Sequence, residues 1–155
     1  MIILMRADIN PNIGQGHVMR LLSVADALRD MGNSCAFILA SDSRNDLIIA
    51  RDYQVFILKT AYTQMDEEID EVLHICSEYK ANLLLVDSYY VTPGYLQTMK
   101  NHICTGYLDD VYSFAYPVDV LINYNIYADE KKYEAIFEKE GVKEPKMILG
   151  PSFAP

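Results

Sequence analysis

Short, predominantly apolar runs, separated by segments with apolar residues every third or fourth position, constrain this chain most. Residues 2–5 (IILM), 34–40 (SCAFILA), 54–58, 83–86 (LLLV), Thr105–Leu108 and 118–122 are such runs. A strand with no polar face must be covered on both sides, which is the situation in a parallel sheet. The intervening segments supply the cover. Residues 16–31 place Val18, Leu21, Leu22, Ala25 and Leu28 at helical spacing, with Gly32 as the C-terminal cap. Residues 46–53 read as a short helix, and residues 66–79 as an amphipathic one with Ile69, Val72, Leu73 and Cys76 inward. Thr92-Pro93 reads as an N-cap with proline in the first turn of a helix reaching Asn101, and residues 129–140 as a charged surface helix. The alternation predicts an α/β fold with a doubly wound, Rossmann-like, mostly parallel sheet in a single domain over residues 1–155.

In such sheets ligands gather beyond the carboxyl ends of the strands. The polar residues there are Arg6 and Asp8, Ser41 and Asp42, Asp87 and Ser88, Asp109 and Asp110, and Asn123 and Asn125. The most informative of the strand-to-helix connections is IGQGHVMR, residues 13–20. Gly14 and Gly16 permit positive φ and close backbone approach, and free N–H groups at a helix start favour an anion or developing negative charge. His17 falls in the first helical turn, where the helix dipole favours a neutral imidazole, which is a competent base. The loop is neither a Walker A motif nor a dinucleotide fingerprint, since it lacks Gly-Lys-Ser/Thr and a third glycine.

A plain structural role stands beside each of these readings. His17 is a catalytic base or a helix cap, and Arg20 reads as a surface or rim pairing residue rather than a ligand clamp. Asp87 is a site residue or a helix-capping acid. Asp109 and Asp110 are adjacent in an extended segment and point to opposite faces, so at most one serves a common substrate. The twelve tyrosines, Tyr89, Tyr90 and Tyr124 among them, either line a sugar site or fill the core. His74 and His102 have no neighbouring ligand set, so no metal site is expected.

Composition removes several classes of function. A net charge of −9 leaves no basic stripe to offset phosphate charge, which argues against nucleic acid or an anionic membrane as partner. No apolar run approaches the roughly 20 residues of a membrane span, and the first residues lack the features of a secretion signal. A cytoplasmic location is expected. Cys35, Cys76 and Cys104, odd in number and far apart, suit buried reduced thiols.

The combination Arg6-Ala-Asp8, Asn10-Pro-Asn-Ile-Gly14 and Gly16-His17-Val-Met-Arg20 resembles the amino-terminal signature of the nucleotide-sugar hydrolases of pseudaminic acid biosynthesis. The spore coat polysaccharide biosynthesis proteins share it, and both are similar to the GT-B glycosyltransferases of peptidoglycan synthesis. LLLVDSYYV, YLDD, DVLINYN and LGPSFAP extend the resemblance over nearly the whole chain. It implies hydrolysis of a UDP-linked 2,4-diacetamido-2,4,6-trideoxyhexose to UDP and free sugar, with no metal or other cofactor. His17 would activate water, and Asp8, Gly14, Gly16, Arg20, Asp87, Tyr89, Asp109 and Asn123 would hold the substrate. It further implies that this chain is the amino-terminal half of a GT-B fold, with the UDP-binding carboxyl-terminal domain absent and the isolated piece nearly inactive. Two other readings remain open: the acceptor domain of a GT-B glycosyltransferase, and a non-catalytic sugar-binding or interaction domain.

Overall fold

The computed structural model describes residues 1–41, 43 and 45–154. Among these, seven strands form one sheet: β1 (Ile2–Ala7), β2 (Ser34–Leu39), β3 (Gln54–Ile57), β4 (Leu83–Asp87), β5 (Thr105–Leu108), β6 (Val120–Asn123) and β7 (Lys146–Leu149). The connecting α-helices are α1 (Gly16–Asp30), α2 (Asp46–Ile49), α3 (Ile69–Glu78), α4 (Pro93–His102) and α5 (Glu130–Glu140). Every strand pair is parallel. The order across the sheet is β3-β2-β1-β4-β5-β6-β7. The chain therefore winds outward one way from β1 and the other way from β4. The crevice between the carboxyl ends of those two strands is the topological switch point, where ligands bind in sheets of this kind.

The alternation of side chains along each strand divides the core in two. Leu4, Ile38, Leu84 and Val86 pack with α3, α4 and α5 through Val72, Leu96, Met99, Tyr133 and Phe137. Ile3, Met5, Phe37 and Leu39 pack on the opposite face with Val18, Leu21, Leu22 and Ala25 of α1 and Ile48 of α2. The doubly wound arrangement expected from the apolar runs is thus present.

The differences from the expected elements have local causes. Helix α2 is only four residues long, and residues 66–79 divide into a 3₁₀ turn, Met65–Glu68, followed by α3. Strand β7 was not anticipated, because MIL is a brief apolar run after a proline and only its pairing with β6 makes it a strand. Cys76 is buried, and that burial pushes its thiol up to about 11, whereas Cys104 is exposed rather than buried. Among the described residues no helix is long and apolar enough to cross a membrane.

Below the carboxyl end of β1 lies a fully buried charge cluster. Arg6 donates from Nε and Nη2 to Glu68 at 2.7 and 2.9 Å, and from Nη1 to Asp8 at 2.7 Å. The Tyr95 hydroxyl donates to Glu68 at 2.9 Å. These carboxylates keep the Arg6 guanidinium charged against the opposing effect of burial. Through Glu68 the cluster anchors the connection after β3, and through Asp8 it fixes the chain as it leaves β1. Arg6→Met strands two buried carboxylates and is expected to lower stability by about 3–5 kcal/mol. Urea unfolding measures this, and a loss below ~1 kcal/mol would contradict the anchoring role.

Candidate functional site

The connection from β1 to α1 is shaped by its own side chains. Asn10 Oδ1 accepts from the backbone N–H groups of Asn12 and Ile13 at 2.9 and 3.1 Å, and the Asn10 carbonyl accepts from Gly14 at 2.8 Å. Gly14 stands at φ +83°, a conformation that disfavours any residue with a Cβ. Gly16 does not share that need. It is already helical, and a Cβ there would meet nothing within 4 Å, so its contribution is open space beside the cleft.

Gln15 is the N-cap of α1 and makes no side-chain capping bond, and His17 does not cap the helix either. Its ring reaches across the switch point to the end of β4. His17 Nδ1 lies 2.7 Å from Asp87 Oδ1 and 3.0 Å from the Asp87 carbonyl oxygen. A carbonyl can only accept, so Nδ1 carries the proton and Nε2 is left with a lone pair when the ring is neutral.

Asp87 holds more than the histidine. Arg20, one turn after His17, donates from Nε to Asp87 Oδ2 at 2.9 Å and from Nη2 to Oδ1 at 2.6 Å. Its third nitrogen, Nη1, donates to Asp110 Oδ2 at 2.9 Å. The Tyr89 hydroxyl donates to the same Asp110 oxygen at 3.0 Å, and the Tyr89 ring meets His17 edge-on with centroids 4.5 Å apart. A closed ring results: His17, Asp87, Arg20, Asp110, Tyr89 and back to His17. It borders a cleft of about 360 Å³ lined by Ile13, Gly16, His17, Arg20, Tyr89 and Tyr124.

The electrostatics correct one expectation. Burial by itself lowers the His17 pKa, but the hydrogen bond and charge of Asp87 outweigh it and raise the value above the ordinary 6.5, with Arg20 partly opposing. The helix dipole does not decide the charge of this ring, because a carboxylate at 2.7 Å is the nearer influence. Among the described residues no group of three or more His, Cys, Asp or Glu is arranged to hold a metal ion.

The structure brings His17, Gly16, Arg20, Asp87 and Tyr89 together, with Gly14 in the adjoining loop. It places three other expected substrate residues elsewhere. Asp8 is fully buried under Arg6. Asp109, also buried, accepts from the hydroxyls of Tyr116 and Tyr133 and from the backbone of Val111 and Tyr112, so its carboxylate is consumed in shaping the loop after β5. Asn123 is held by Tyr133 and Asn125 after β6. Asp42 lies outside the described residues. Ile13 was not singled out, Tyr124 is one of the tyrosines read as lining a sugar site or filling the core, and Asp110 stands where Asp109 was expected. For Asp110 the signal was the rule that only one of two neighbouring aspartates faces the site, which left open which one. The α4 cap is Thr92, so Asp87 has no capping role there.

The raised pKa sets the sign of a stability effect. Folding favours the protonated ring, so the His17–Asp87 pair contributes fully below the unfolded value near 6.5 and loses that contribution as pH rises through the folded value. The stability difference between the unmodified chain and His17→Gln is therefore expected to shrink with rising pH across that window. Urea unfolding at a series of pH values measures it, and a difference that grows instead would contradict the pairing.

No protein-family model matches the chain. It is 29% identical over 136 residues to the UDP-2,4-diacetamido-2,4,6-trideoxy-beta-L-altropyranose hydrolase of Campylobacter jejuni subsp. jejuni serotype O:2, an alignment that takes in 86% of this chain and 45% of that protein. The chain thus spans less than half the length of this curated relative. Among solved structures it is similar to MurG of Acinetobacter baumannii, with a TM-score of 0.62 and 14% identity over 79% of this chain and 40% of that one. The latter likeness is one of fold. The chain is thus similar in sequence to part of the Campylobacter hydrolase, and it shares a Rossmann-like α/β fold with part of MurG.

Proposed function

We propose that this chain is the catalytic-base half of a UDP-sugar hydrolase, acting on a UDP-linked 2,4-diacetamido-2,4,6-trideoxyhexose. The observation that carries the reading is the His17–Asp87 pair at the mouth of the switch-point cleft, with Nδ1 held against two acceptors. In the reaction, His17 Nε2 takes a proton from water as its oxygen forms a bond to the anomeric carbon. The bond between that carbon and the phosphate oxygen breaks, and its electron pair leaves with UDP. Asp87 stabilises the imidazolium that forms, and the proton then passes to solvent. UDP is a good leaving group, so no second carboxylic acid need protonate it.

In this account Arg20 is a positioning residue, since three of its N–H groups are already committed to Asp87 and Asp110. Tyr89, half exposed, and Tyr124 offer ring faces to the sugar. The partner is a second domain that binds UDP and closes over the cleft. Two observations support it. The chain aligns with 45% of its relative, and the connections after β4, β5, β6 and β7 expose Tyr89, Val111, Ile126, Tyr127 and Phe153 along the same edge of the sheet.

The test uses the full-length native protein that carries these residues, with sugar release followed by NMR. His17→Ala is expected to lower kcat by about 10²–10⁴-fold while the protein still binds UDP. The acidic limb of the pH–rate profile is expected above the ordinary histidine value of 6.5, because the base must be neutral and Asp87 raises its pKa. Undiminished hydrolysis in His17→Ala would overturn the proposal, and sugar transfer faster than hydrolysis in the unmodified protein would assign the site to a glycosyltransferase.

A further inference from the structure

Beside the cleft is a smaller recess of about 140 Å³ lined by Ile9, Asn10, Pro11, Gly14 and Gln15. Cleft and recess share one loop. Ile13 and Gly16 face the cleft while Gly14 and Gln15 face the recess, and successive Cα atoms along that loop are only ~3.8 Å apart. The exposed residues Pro11, Gly14 and Gln15 form the mouth, and Ile9 and Asn10, each 3% exposed, form the base.

Asn10 has an unmet requirement. Its Oδ1 accepts from Asn12 and Ile13, which fixes the orientation of the amide, and its buried Nδ2 then has no acceptor among the described residues. A buried donor without a partner costs about 1–3 kcal/mol, so an acceptor from outside the chain that reaches the shielded Nδ2, as the exposed Pro11, Gly14 and Gln15 give way, would be held there. The surroundings restrict what that acceptor is. Ile9 and Pro11 favour an apolar group next to the acceptor, and the volume suits a substituent rather than a sugar ring.

We propose that this recess is an acetamido subsite, in which the carbonyl oxygen of an N-acetyl substituent accepts from Asn10 Nδ2 and its methyl group packs on Ile9 and Pro11. The assignment rests on the UDP-sugar reading above and adds a basis for substrate choice. An N-acetylated sugar satisfies both the donor and the apolar base. A free amine, charged at neutral pH, presents a donor to a donor and carries no methyl group. Asn10 thereby distinguishes acetamido from amino sugars while His17, across the loop, performs the chemistry.

Asn10→Asp is the sharpest variant, because it keeps an oxygen for the Asn12 and Ile13 N–H groups and replaces only the Nδ2 donor. In the full-length protein its KM for the UDP-diacetamido sugar is expected to rise about tenfold with kcat changed much less, and its preference over the corresponding amino sugar to narrow or reverse. A second readout is independent of turnover: the ¹⁵N side-chain amide signal of Asn10, identified by its loss in Asn10→Asp, is expected to shift on adding the free diacetamido sugar and not the diamino sugar. Hydrolysis with unchanged KM in the variant and a static Asn10 signal would overturn the subsite and leave the hydrolase reading intact. A signal that responds in a protein without hydrolase activity would support the subsite and overturn the reaction.

Discussion

One carboxylate organises the site. Asp87 ends β4, where the sheet register sets it beside Ala7 of β1, and it is almost completely buried at the point where the strand order reverses. A carboxylate in that position must be met by donors, and α1 supplies them from residues three apart on one helical face. His17 takes one oxygen and Arg20 takes both. The distance between α1 and β4 is thereby fixed by polar contacts at the carboxyl end of the sheet and by Leu21, Leu22 and Ala25 further along the helix. The same contacts that satisfy Asp87 also choose the tautomer of His17.

Arg20 carries this constraint outward. By bridging Asp87 and Asp110 it links the connection after β5 to the one after β4, and Tyr89 completes the circuit against the imidazole edge. Two aspartates next to each other in sequence thus do opposite work. Asp109 turns inward to four donors and shapes its loop, whereas Asp110 turns toward the cleft and orders Arg20 and Tyr89. Beneath them the Arg6 cluster keeps the end of β1 in place, so the loop that carries Asn10 and Gly14 starts from a fixed point.

Much of this was legible in the sequence because two different periodicities alternate along it. Apolar runs named six of the seven strands, and helical spacing named the buried face of α1. The place where the polar cluster around Asp87 gathers followed from topology, since polar residues collect where strands end. The partners were not legible. Arg6 and Asp8 read as polar residues on the rim beyond β1, with Asp8 toward the substrate, yet Glu68, sixty-two residues later, holds Arg6 in the interior and Arg6 in turn holds Asp8. The charge preference of His17 was misjudged for the same reason, because the helix dipole is visible in sequence and a carboxylate seventy residues away is not. Strand β7 needed its neighbour to be recognised.

The central claim is that Asp87 holds the proton of neutral His17 on Nδ1 and leaves Nε2 free to act as base. Ring-selective ¹⁵N NMR of His17 in the full-length protein, at a pH above its raised pKa, tests this directly. The account requires a protonated Nδ1 and an unprotonated Nε2, with the distinction weakened or lost in Asp87→Asn. A proton on Nε2 instead would show that Asp87 does not set the tautomer, and His17 would have no lone pair on Nε2 with which to activate water.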